Sequence, residues 1–112
     1  MFVFDPDYTF EWPVKVHFPG GEVKEFTGIF RHPEDEKEIF EKVTGEDTPA
    51  MIDAARARLA RYFIGWRDIQ VQGGGDLAYS PEVRDRLLRQ RPFRMAVDQA
   101  LFEALVGIRE KN

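Results

Sequence analysis

The chain has 112 residues, 43% hydrophobic and 32% charged, with ten Phe. That is a globular composition sized for one domain with a modest core. It has no Cys and only two His, His17 and His32, which excludes disulfides, thiolate metal sites, Cys nucleophiles and His-rich metal centres. The net charge of −4 is unevenly divided: residues 1–50 carry 12 Asp/Glu against 5 Lys/Arg, and residues 51–112 carry 8 against 11. Such polarity suits head-to-tail association or a charged partner, whereas a nucleic-acid binder usually has a basic balance. No apolar run approaches the roughly 18–20 residues of a membrane helix. Met1-Phe2-Val3-Phe4-Asp5 lacks the basic flank and cleavage site of a signal peptide. A soluble, cytoplasmic protein is the expectation, with neither membrane nor nucleic acid as partner.

In chain order, residues 1–9 form an amino-terminal arm carrying Phe2, Phe4 and Tyr8, interrupted by Asp5-Pro6-Asp7. Alternation follows. Phe10, Trp12, Val14, Val16 and Phe18 fall on one side of an extended chain, with Glu11, Lys15 and His17 on the other. This period of two predicts a half-buried strand, and Pro13 favours an edge position or a strand start. Pro19-Gly20-Gly21 is a turn, and residues 22–30 resume the extended pattern around Phe26, Gly28 and Phe30. The spacing predicts an antiparallel β-hairpin over 10–31, whose aromatic face needs a cover because two strands alone are marginal in water.

Helices over 32–112 supply that cover. Pro33 and the acids after it open one, with Ile39, Phe40 and Val43 as its apolar side and Gly45 as its stop. Thr48-Pro49 caps a second, in which Ile52, Ala55, Leu59, Tyr62 and Phe63 recur at helical spacing and Gly65 ends the run. Residues 66–71 are open to a third short strand or an extended link, and Gly73-Gly74-Gly75 to a turn. Ser80-Pro81 caps a third helix that carries Arg84, Arg86, Arg89 and Arg91 and is broken at Pro92. Phe93, Val97, Ala100, Leu101, Leu105 and Ile108 mark the last. The expected class is α+β: one domain, an amino-terminal hairpin packed on about four helices.

Catalytic chemistry finds little support in these residues. Glu34, Asp35, Glu36, Glu38 and Glu41 read as a solvated face that complements a helix dipole. Ser80, followed by Pro81, reads as an N-cap and not a nucleophile. The Gly73–Gly75 run fits neither a P-loop nor a dinucleotide fingerprint. Asp85 and Asp98 interrupt the Arg-rich helix, and aromatic interleaving for base stacking is sparse. No catalytic residue, metal ligand or cofactor is assigned. Phe2, Phe4, Tyr8, Arg84 and Arg91 are the candidates for contact with a partner or a second copy.

Four features in this order resemble a known family: Phe26-Thr27-Gly28-Ile29-Phe30-Arg31; Phe63-Ile64-Gly65-Trp66; Leu77-Ala78-Tyr79-Ser80-Pro81-Glu82 with Leu87-Leu88 and Arg91-Pro92; and a closing helix ending at Lys111-Asn112. Together they resemble the tail assembly chaperones of long, non-contractile-tailed bacteriophages, over nearly the whole chain. The resemblance implies a small, non-enzymatic, self-associating α+β protein of the host cytoplasm. Such a protein coats the tape measure protein, keeps it soluble, helps to recruit tail tube subunits and is absent from the mature virion. Gly65 and Trp66 are the most distinctive of the matching residues, with structural roles: Gly65 as a helix stop and Trp66 as a core residue. The alternative is a structural tail or head-to-tail connector protein retained in the virion.

Overall fold

The computed structural model describes residues 1–35, 37 and 48–107. Within them lie a three-stranded antiparallel sheet, in the order β1-β2-β3, and three helices. The strands are β1 (Thr9–His17), β2 (Val23–Arg31) and β3 (Phe63–Arg67); the helices are α1 (Pro49–Tyr62), α2 (Pro81–Leu88) and α3 (Arg91–Val106). The expected α+β class holds. Beyond Glu34, Asp35 and Lys37, the helix expected after Pro33, through Gly45, lies outside the described residues, as does the end of the closing helix from Ile108 onward.

The hairpin forms as the alternation dictates. Phe10 faces Phe30, Trp12 faces Gly28 and Val14 faces Phe26 across the ladder. The turn closes with the Phe18 N–H donating to the Glu22 carbonyl at 2.8 Å. Gly20 and Gly21 take φ of 97° and 95° there, a region that L side chains rarely adopt. Gly28 has a different reason to be glycine. A Cβ at this position would lie 2.7 Å from Phe30 Cε2 and 3.0 Å from Val14 Cγ2. The gap above it is flanked across the sheet by Trp12 on β1 and Trp66 on β3.

The main departure from the sequence expectation is at residues 63–67. The second helix expected to run to Gly65 ends at Tyr62, and the chain passes directly into β3. Gly65 is therefore not a helix stop: it pairs with Ile29 on β2, and its missing side chain lets Ile29 Cδ1 approach to 3.3 Å from where a Cβ would stand. A bulge follows, in which Ile64 is skipped and Phe63 pairs with Phe30. The extra residue returns Phe63 to the core face of the sheet, beside Trp66. Trp66 is the core residue expected of it, 7% exposed, with its indole N–H donating to the Leu77 carbonyl at 2.8 Å.

The N-caps match the sequence. Thr48 Oγ1 accepts from the Met51 N–H at 3.2 Å, and Ser80 Oγ accepts from the Val83 N–H at 3.1 Å. Each thereby satisfies a donor that the first helical turn leaves without a partner. Helix α3 begins at Arg91, slightly before the expected Phe93, and ends at Gly107 with φ 73°. One core joins all three layers: Val14, Val16, Phe26, Phe30, Phe63 and Trp66 from the sheet, Leu59 and Tyr62 from α1, Leu88 from α2, and Phe93, Val97 and Leu101 from α3. Phe26 and Phe93 stack at 5.1 Å, which brings the start of α3 to the carboxyl half of β1, since Phe26 pairs with Val14.

Candidate interaction surface

Phe2, Val3 and Phe4 stand outside this core. Phe2 is 88% exposed and Phe4 74%. The segment that carries them is shaped by its acids. Asp5 Oδ1 accepts from the Asp7 N–H at 2.9 Å, and the Asp5 carbonyl accepts from the Tyr8 N–H at 3.2 Å. This is an Asx-supported turn with Pro6 at its second position. The arm then lies beside His32, Pro33 and Glu34 in a shallow depression. Tyr8 differs from the two Phe residues grouped with it in the sequence. Its ring stacks on Phe10 at 6.5 Å and meets His32 edge-on at 5.8 Å, so it belongs to the rim of the hairpin. Its carbonyl accepts from the His32 N–H at 2.9 Å, continuing the β1–β2 ladder.

The arginines divide into two groups. The Arg84 side chain is largely buried and engaged within the fold: Nε donates to Asp85 at 3.1 Å, and Nη1 to the Ala60 carbonyl at 3.2 Å and the Tyr79 hydroxyl at 3.1 Å. It ties α2 to the end of α1, and so corrects the expectation that Arg84 faces a partner. Arg94 is 2% exposed, and its Nη1 donates to the carbonyls of Leu88 and Arg89 at 2.9 and 3.2 Å. A guanidinium there satisfies acceptors at the carboxyl end of α2 and complements its dipole. Arg86, Arg89 and Arg91 are exposed. Arg58 and Asp98 join α1 to α3 at 3.1 Å.

The remaining chemical candidates fall into structural places. Ser80 is occupied as a cap. Gly73, Gly74 and Gly75 all have φ near 95° and close a tight loop in which Gln70 bridges to Asp76. Among the described residues, no group of three or more His, Asp or Glu side chains is placed to hold a metal ion. No helix among them is long and apolar enough to cross a membrane. Glu36, Glu38 and Glu41 of the acidic run lie outside the described residues.

Pro13 already favoured an edge position for β1, and the hairpin's outer edge is a further candidate for pairing with another molecule. The bonds from Phe18 to Glu22 and from His32 to Tyr8 show that even-numbered residues of β1 turn their backbone groups toward β2. In an antiparallel ladder the intervening residues turn theirs outward. Thr9, Glu11, Lys15 and His17 thus present N–H and C=O groups at an edge that no other described strand pairs with, and Pro13 presents a carbonyl alone. Pro13 costs the sheet no ladder bond for that reason. Beside this edge runs a groove whose other wall is α3, lined by Trp12, Lys15, His17, Met95, Ala96 and Ala100 among others.

Compared with family models, with curated proteins and with solved structures, the chain matches none.

Proposed function

We propose that this protein is a non-enzymatic, self-associating assembly chaperone of a long, non-contractile bacteriophage tail. In this reading it works in the host cytoplasm. It coats the tape measure protein, keeps it soluble, helps to recruit tail tube subunits and is absent from the finished virion. The observation that carries the reading is the aromatic arm: Phe2, Val3 and Phe4 lie in solvent while the other described residues pack a core without them. An exposed apolar segment of this kind marks a contact with another chain. A very long client supports many copies at once, so individually weak contacts add up to firm attachment. The order of motifs described above and the −7 against +3 charge division of the two halves support the same reading.

The test is co-expression of the tagged full chain with the tape measure protein, followed by affinity capture and by mass spectrometry of purified virions. The expected result is a soluble client carrying many copies of the chain, and none of the chain in the virion. An insoluble client in the presence of the folded chain would overturn the reading. Abundant copies in the virion would make the protein a structural component of the tail or connector instead.

A further inference from the structure

We infer that the groove between the open edge of β1 and helix α3 is the seat of the amino-terminal arm of a second copy, added to the sheet as a further strand beside β1. The inference goes beyond the chaperone reading and does not depend on the client.

The groove offers what an added strand needs. Along one wall Lys15 and His17 present outward N–H and C=O groups that no described residue uses, and main-chain pairing of this sort supplies affinity whatever the side chains. Along the other wall Ala96 and Ala100 leave room, and Met95, 57% exposed, is a flexible apolar side chain with little to cover it. The arm has the matching pattern. In an extended chain Phe2 and Phe4 share one face, and Val3 and Asp5 share the other, up to the turn that begins at Asp5. With Phe2 and Phe4 on the side of Val14 and Val16, they enter the groove, and Asp5 takes the outer face with Lys15 and His17.

Charge sets the direction. The end of the groove at Pro92 is the start of α3, where the first turn holds no acid, Gln90 makes no side-chain cap, and Arg89 and Arg91 are exposed. This end, the positive pole of the helix, lies by the carboxyl half of β1, since Phe93 packs near Val16 and Phe18. The opposite end carries Glu103. An arm running parallel to β1 sets Asp5, where its turn begins, at the positive end, with Lys15 and His17, and its α-amino group toward Glu103. Glu25, which also lines the groove, pairs across the ladder with Lys15.

Length then requires a second copy. In that pose Asp5 sits beside Lys15 or His17, roughly 20–26 Å along the strand from Thr9 at about 3.3 Å per residue. The four steps from Asp5 to Thr9 span at most about 14 Å. A chain therefore cannot fill its own groove. Its arm enters a neighbour while its groove receives another, a head-to-tail contact that builds rings or open arrays.

The absence of Cys permits a direct test. A Val3→Cys full chain is mixed with an untagged or tagged Lys15→Cys full chain and oxidised; Val3→Cys with Glu82→Cys serves as the control pair. The expected result is a mixed disulfide dimer with Lys15→Cys in at least about tenfold excess over the control, lost when Met95→Glu is added to the groove-bearing chain while its melting temperature is kept. Equal cross-linking to both positions overturns the inference. So does cross-linking within one chain carrying both substitutions at high dilution, or a full chain that stays monomeric by light scattering. Cross-linking as expected with no client captured leaves this contact standing and removes the chaperone reading.

Discussion

Two sets of phenylalanines in this chain meet opposite fates. Phe26, Phe30, Phe63 and Phe93 form a continuous set of ring contacts at 5.1–6.2 Å and are at most 7% exposed. Phe2 and Phe4, as apolar as the others, are surrounded by solvent. The difference is one of neighbours. The interior rings sit on strands and a helix whose periodicity aims them at one another, whereas the turn at Asp5-Pro6-Asp7 directs the arm away from the core before it can join. Interior phenylalanines therefore act on stability, and in the reading proposed above those of the arm act on association.

That division can be broken at its strong end first. Phe63→Ala and Trp66→Ala each remove a ring from the centre of the core and should cost about 3–5 kcal/mol, enough to unfold much of a domain this size near 37 °C. Denaturant titration checks this, and an unchanged midpoint for either would remove it from the core. Gly28→Ala forces a methyl against Phe30 and Val14 and should cost about 1–3 kcal/mol by overpacking, read as a lower midpoint with the same slope. Arg94→Met keeps the bulk but leaves the Leu88 and Arg89 carbonyls short of a donor, an expected loss of about 1–3 kcal/mol. The same change should speed amide exchange at the end of α2. At the weak end, Phe4→Ala should move the midpoint by no more than about 0.5 kcal/mol, as exposed positions do.

Much of this fold was legible in the residues. The hairpin follows from strict alternation through 10–18 and the Pro19-Gly20-Gly21 turn, and the caps from Thr48-Pro49 and Ser80-Pro81, because each of these signals is local. The passage from α1 to β3 was not, because Phe63 stands four residues after Leu59 and Trp66 three after Phe63. That spacing continues a helical stripe as well as it fits a strand, and only pairing with Ile29 and Phe30 decides between them. Arg84 and Arg94 were equally opaque: a guanidinium in an Arg-rich helix looks solvated until the carbonyls that hold it, Ala60 for one and Leu88 for the other, are placed in space. Of the candidate surface, the aromatic arm could be read directly. The groove beside β1 could not, although Pro13 already marked β1 as an edge strand, because its second wall comes from residues some eighty positions later.

The central claim is that the arm serves association and not folding, and deletion of residues 1–7 tests it most directly when thermal melting and sedimentation velocity are measured on the same samples. The account predicts that the shortened chain melts within a degree or two of the full chain and sediments as a monomer at concentrations where the full chain forms larger species. A shortened chain that melts much lower, with an unchanged distribution of assembly sizes, would contradict it.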